Sequence, residues 1–230
     1  MGSVSIGNIQ LDQLLGGGIQ QHKQTILVGQ PGSGKTALAL QFITDPNHMD
    51  DTCAYVCIDK KPEQLMEKAA IMNSSVIKAI ENHTLKFVEI SLHDWAKNQQ
   101  IHELLLNIQL QLDALFHELN VSRLIIDSLL PHALASISNE KKQLFIQEFL
   151  KIIQPFNATC LCILYDVPCH EFLWLNTDLI YDQLLFERKT DFDYTTYWVE
   201  VSKNNPGNKN GQYRFTIDPT KGLLLKHRLC

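Results

Sequence analysis

Residues 29–36 read GQPGSGKT, a glycine-rich turn followed directly by a lysine and a hydroxyl residue. The spacing G-x-x-x-x-G-K-[ST] suits the cradling of a polyphosphate. Gly29, Gln30, Pro31, Gly32, Ser33 and Gly34 form the turn, in which the non-proline residues would direct backbone N–H groups inward, because glycine lets the chain curl and approach an anion closely. Lys35 would bridge the β- and γ-phosphates, Thr36 would offer its hydroxyl to Mg²⁺, and Ala37 continues into the helix whose N-terminal dipole favours the anion. Such a metal also needs an acid held at the tip of a buried strand, and RLIIDSL supplies Asp127. Asp127 could instead cap a helix, and Ser128 could orient water or serve as the cap. Nucleotide binding is the first expectation.

These residues need a scaffold, and the pattern around them offers one. TILV at 25–28 reads as a strand before the loop and ALALQFI as a helix after it. Further short apolar runs at 53–58, 85–90, 123–127 and 159–165 alternate with amphipathic stretches. Ile101, Leu104, Leu105, Ile108, Leu112, Leu115, Phe116 and Leu119 recur at spacings of three and four, which predicts a helix. A second helix is expected near 139–155 with Leu144, Phe145, Phe149, Ile152 and Ile153 on one side. Strands alternating with helices predict an α/β fold with a mainly parallel sheet flanked by helices. After Asp178 the strands follow without helices, as LIYDQLLFE, TTYWVEVSK, QYRFTID and GLLL, and read as an antiparallel addition to the sheet edge.

A chain of 230 residues fits one domain, 1–230, with a single extended core. With 45% hydrophobic and 20% charged residues it has the composition of a globular protein, and no window approaches the roughly 18 apolar residues that span a bilayer. No signal-peptide pattern opens it and six cysteines suggest a reducing compartment, so a cytoplasmic protein without disulfides is expected. A net charge of −5 argues against a main role in wrapping nucleic acid.

The stretch IQLDQLLGGGIQQHKQTILVGQPGSGKTALALQF, residues 9–42, resembles the opening of RecA-superfamily ATPases of the KaiC and RadA/RadB type. Leu11, Asp12, Leu14, Leu15 and Gly16 to Gly18 match the segment that precedes the phosphate loop there, and YRFTIDPTKGLLL is similar to the end of a KaiC domain. The resemblance implies ATP with Mg²⁺ as cofactors and a RecA-like domain that assembles with copies of itself into a ring or filament, ATP lying at the subunit boundary. Two positions depart from the family. Where KaiC-like domains end the second strand in a glutamate pair that polarises water, this chain has Asp59 and Lys60. Asp59 would be the base, with a shorter reach, or both residues simply end a strand as solvated charges. Where the family has a K-x-R pair that reaches a neighbour's γ-phosphate, Lys203 matches the lysine and Asn205 replaces the arginine. Loss of such a finger costs on the order of 10³ or more in turnover.

The segments corresponding to recombinase DNA loops, 129–138 and 166–177, contain no lysine or arginine, which disfavours DNA binding. Phe172 and Trp174 could stack on bases or pack on a core, and KNNPGNKNGQYR keeps a basic surface in play. Cys53/Cys57 and Cys160/Cys162 each share a sheet face; with Cys169 and His170 they fit no zinc spacing and read as core thiols. Among the histidines, His132 alone sits where a ligand could be, and it reads as a loop residue. The leading reading is an ATP-binding, slowly hydrolysing KaiC-like ATPase whose nucleotide state controls self-assembly or a regulatory protein partner. A RadB-type recombinase paralog that binds DNA and a non-hydrolysing nucleotide scaffold are the alternatives.

Overall fold

The structure is a computed structural model that describes residues 2–45, 51–92, 101–130, 134, 136–165, 179–191, 194–203 and 211–228. It begins with a small ribbon, β1 (Ser3–Val4) against β2 (Ile19–Gln20), closed around α1 (Ile9–Leu14). The Asp12 carboxylate accepts from Ser5 Oγ at 2.7 Å and from Ile6 N–H at 2.8 Å. Its backbone carbonyl accepts from Gly17 and Gly18 N–H. One aspartate thus ties both ends of the ribbon, which gives the L-D-x-L-L-G-G-G segment a structural reason. Burial pushes the Asp12 carboxyl above its ordinary range, opposed by the same hydrogen bonds.

The α/β body follows in chain order: β3 (Gln24–Gly29), α2 (Lys35–Thr44), β4 (Cys53–Ile58), α3 (Glu63–Met72), α4 (Ser75–Glu81), β5 (Leu85–Ile90), α5 (Ile101–Glu118), β6 (Arg123–Asp127), α6 (Asn139–Ile153) and β7 (Thr159–Leu164). Then come β8 (Ile180–Asp191), β9 (Tyr194–Lys203), β10 (Gly211–Asp218) and β11 (Gly222–Arg228). Among the described residues the main sheet has nine strands in the order β11-β10-β9-β8-β3-β7-β6-β4-β5. Every residue of β3, β4, β6 and β7 is buried, as expected of parallel strands covered on both faces.

Side-chain alternation splits the core into two layers. Ala54, Val56, Leu124, Ile126, Cys160 and Cys162 pack under α5 and α6. Tyr55, Cys57, Ile125, Leu161 and Ile163 pack under α2, α3 and α4. The inner stripe of α5 is Leu104, Leu105, Ile108, Leu112 and Leu115. In α6 the buried side is Phe145, Ile146, Phe149, Leu150 and Ile153, whereas Leu144 is 44% exposed, one step around the helix from where its apolar character would place it.

The strand after Asp178 differs from the expectation of an antiparallel addition. β8 pairs in parallel with β3, Val28 opposite Leu185, and only on its other side does β9 run antiparallel. Parallel pairing on one side and antiparallel on the other makes β8 a hinge in sheet direction, from which β9, β10 and β11 continue as the antiparallel part. Segment 166–177, with Phe172, Trp174, Cys169 and His170, lies outside the described residues, as do His132 and Asn205. From 129–138, Leu129 and Leu134 are buried in the layer under α5 and α6.

Candidate functional site

The strands β3, β7, β6 and β4 are neighbours and parallel, so their C-terminal ends open on one edge. That edge is where α/β sheets bind ligands. β3 delivers the glycine-rich loop, β4 delivers Asp59 and Lys60, β6 delivers Asp127, and Tyr165 follows β7. Gly34 takes φ of 105° as the N-cap of α2, and a β-carbon there would lie 3.0 Å from the Phe215 ring, so only glycine fits. The loop wraps the Lys35 ammonium, which donates to Gly29 O at 2.6 Å, Gln30 O at 2.7 Å and Ser33 Oγ at 3.3 Å. Lys35 is 2% exposed, so its charge is held within the loop rather than in bulk water.

A cavity of about 710 Å³ opens over this edge. Gly32, Ser33, Gly34, Lys35, Thr36 and Ala37 form one wall, and Lys60, Lys61, Glu63, Lys68, Asp127 and Tyr165 stand in the others. Lys35 and Lys60 both approach the Tyr165 ring, at 4.4 and 4.0 Å from its centroid, in cation–π contact. The Tyr165 hydroxyl meets Thr36 Oγ1 at 3.1 Å and donates to Asp127 Oδ2 at 3.4 Å, and the Tyr55 hydroxyl donates to that same oxygen at 2.8 Å. Burial first, and then the charge of Asp127, pushes both phenols well above their ordinary range, so they remain neutral donors. Asp127 Oδ1 accepts from Lys60 Nζ at 2.6 Å.

A hydroxyl and a carboxylate linked through one tyrosine hydroxyl are the oxygen donors that a hard divalent cation uses. Thr36 and Asp127 therefore fit Mg²⁺ chemically, with Lys60 already seated on one carboxylate oxygen. When bound with nucleotide, Mg²⁺ would supply charge neutralisation at the β- and γ-phosphates.

Asp59 is placed differently from its neighbours. Its backbone has φ of 54°, its N–H donates to Ile90 O, and its Oδ1 accepts from Leu92 N–H at 2.7 Å. The carboxylate clamps the ends of β4 and β5, while Lys60 takes its place in the cavity wall. Lys203 closes β9 with its backbone opposite Asp182. Tyr55, Tyr165 and Arg188 were not marked by any motif; a β-carbon on Gly32 would lie 2.8 Å from Arg188 Nη1, so this β8 guanidinium rests on the phosphate loop. The cysteine pairs occupy opposite faces of the sheet, Cys53 and Cys57 on one and Cys160 and Cys162 on the other. Burial pushes the thiols of Cys53, Cys57 and Cys162 up to about 12.

A family model described as the KaiC ATPase matches residues 4–168. UPF0273 proteins of Pyrococcus furiosus and Pyrococcus horikoshii are each 26% identical over 133 residues, covering 54% of this chain and 53% of theirs. A UPF0273 protein of Thermotoga maritima is 30% identical over 73 residues, 32% of this chain and 30% of its own. The chain thus spans about half the length of the first two curated relatives and less of the third. A solved structure of a KaiC-like protein from Pyrococcus horikoshii shares the fold, with a TM-score of 0.76 at 17% identity over 98% of this chain and 99% of that one. With the match running from the N-terminal ribbon through the phosphate loop and Asp127 to the end of β7, the chain belongs to the KaiC family of ATPases.

Proposed function

We propose that this chain binds ATP with Mg²⁺, hydrolyses it slowly, and uses its nucleotide state to control self-assembly or a protein partner. The observation that carries the reading is the Lys35 ammonium, wrapped by loop oxygens in a cavity that Thr36 and Asp127 also line. Lys35 and the loop N–H groups bind and orient the phosphates, and Arg188 braces the loop at Gly32. Slow turnover is supported by the position of Asp59, whose Oδ1 is engaged by the Leu92 N–H, and by Asn205 where the family has a finger arginine. Self-assembly accords with the family resemblance, and a cytosolic setting with the cysteine content. No described helix is long and apolar enough to cross a membrane.

The test measures ATP turnover and oligomer size together, on the wild-type chain and on Lys35→Ala. The expected result is turnover below about 1 s⁻¹, an oligomer size that responds to Mg·ATP, and loss of both responses in the variant. Turnover in the ordinary enzyme range sinks the slow-hydrolysis reading. A nucleotide-independent oligomer sinks the control reading.

A further inference from the structure

Asp127 is 1% exposed, and a carboxylate buried so deeply needs a counter-charge. Lys60 supplies it at 2.6 Å, with side-chain exposures of 32% for the lysine and 2% for the aspartate. The ammonium is further held by the Tyr165 ring at 4.0 Å. Its backbone is anchored as well, because Lys60 follows Asp59, which is bonded to both Ile90 and Leu92. The lysine is therefore held on Asp127 and the Tyr165 ring, in the wall of the cavity that the phosphate loop also lines. A cation that neutralises the strand-tip acid and faces the phosphates is the role that a divalent ion has in such sites.

We propose that Lys60 is a tethered counter-cation of the nucleotide site, sharing Asp127 with any divalent ion and lowering the dependence of nucleotide binding on metal. This rests on the nucleotide-binding reading above. An ammonium on Oδ1 leaves less charge on the carboxylate for Mg²⁺ to gain from, and it offers its remaining donors to the terminal phosphate oxygens. Because Lys60 is tethered, chelators do not remove it.

The experiment titrates a fluorescent ATP analogue into the full chain in Mg²⁺ and in EDTA, for wild type, Lys60→Met and Lys60→Arg. In the wild type, removing the metal should raise Kd by less than about tenfold. Lys60→Met loses a charge-assisted bond, so its ratio of Kd in EDTA to Kd in Mg²⁺ should be larger by about tenfold or more. Lys60→Arg should restore the wild-type ratio. A wild-type Kd that rises more than about tenfold in EDTA overturns the proposal without recourse to any variant. So does a Lys60→Met ratio equal to that of wild type. If the wild type binds in neither condition, the nucleotide reading itself has failed, a different result from binding that merely follows the metal.

Discussion

Asp59 shows how one residue's position decides its use. It combines a left-handed backbone with a carboxylate bonded to the next strand's exit, at Leu92 N–H. Aspartate tolerates that conformation better than most residues because its short polar side chain bonds locally. Asp59→Gly and Asp59→Ala both lose the clamp, but alanine also strains the backbone. The glycine variant should therefore be more stable than the alanine variant by about 1 kcal/mol, read from urea midpoints. Equal stabilities would show that the turn relaxes without strain. The sequence placed Asp59 and Lys60 correctly at the end of β4, yet it could not say which of the two enters the cavity, because that depends on a φ angle and on the neighbouring strand. Tyr55 and Tyr165 were hidden for a related reason: within CAYVCI and at the end of TCLCILY they read as apolar strand residues, and their role lies in hydroxyls aimed at an acid on another strand.

Among elements, α2 joins the site to the C-terminal strands, carrying the phosphate loop at one end and Gln41 near the other. Gln41 Nε2 donates to Lys221 O at 2.6 Å, and Gln41 Oε1 accepts from Leu223 N–H at 2.9 Å. Asn8, the N-cap of α1, donates to Leu223 O at 2.7 Å while accepting from Leu11 N–H. The turn between β10 and β11 is thereby fastened to α1 and α2 alike. Gln41→Ala leaves the buried Leu223 N–H without its acceptor and should cost about 1–3 kcal/mol, seen as a lower denaturant midpoint with the slope unchanged. A midpoint within error of wild type would mean that the hairpin finds another partner. Most strand bounds were legible because strands buried on both faces are nearly continuous apolar runs, as at 53–58, 123–127 and 159–164. The direction of β8 was not, since a strand of this composition serves either pairing and its parallel partner β3 lies some 150 residues earlier, a separation visible only in the fold.

For the molecule as a whole, the site is a product of sheet direction: parallel strands bring the loop, Lys60, Asp127 and Tyr165 to one edge from four separate places in the chain. A nucleotide bound there touches the core's own strand ends, so it should stabilise the entire domain. At about a hundred times its Kd, ATP should add about 2.7 kcal/mol and raise the unfolding midpoint by several degrees. Calorimetry on wild type and Lys35→Ala checks this, and a shift of equal size in both would show that the ligand binds elsewhere. The loop, Asp127 and the parallel body could be read from sequence because local motif and period specify them, whereas the cavity's far wall depended on long-range register. The bonds that fasten α2 have a meaning in time as well. Gln41 and Leu223 are 182 residues apart, so at ribosomal rates of about 5–20 residues per second the partner of Gln41 is made roughly ten to forty seconds after it. Throughout that interval a nascent chain carries the complete phosphate-loop sequence on a helix that still lacks its anchor.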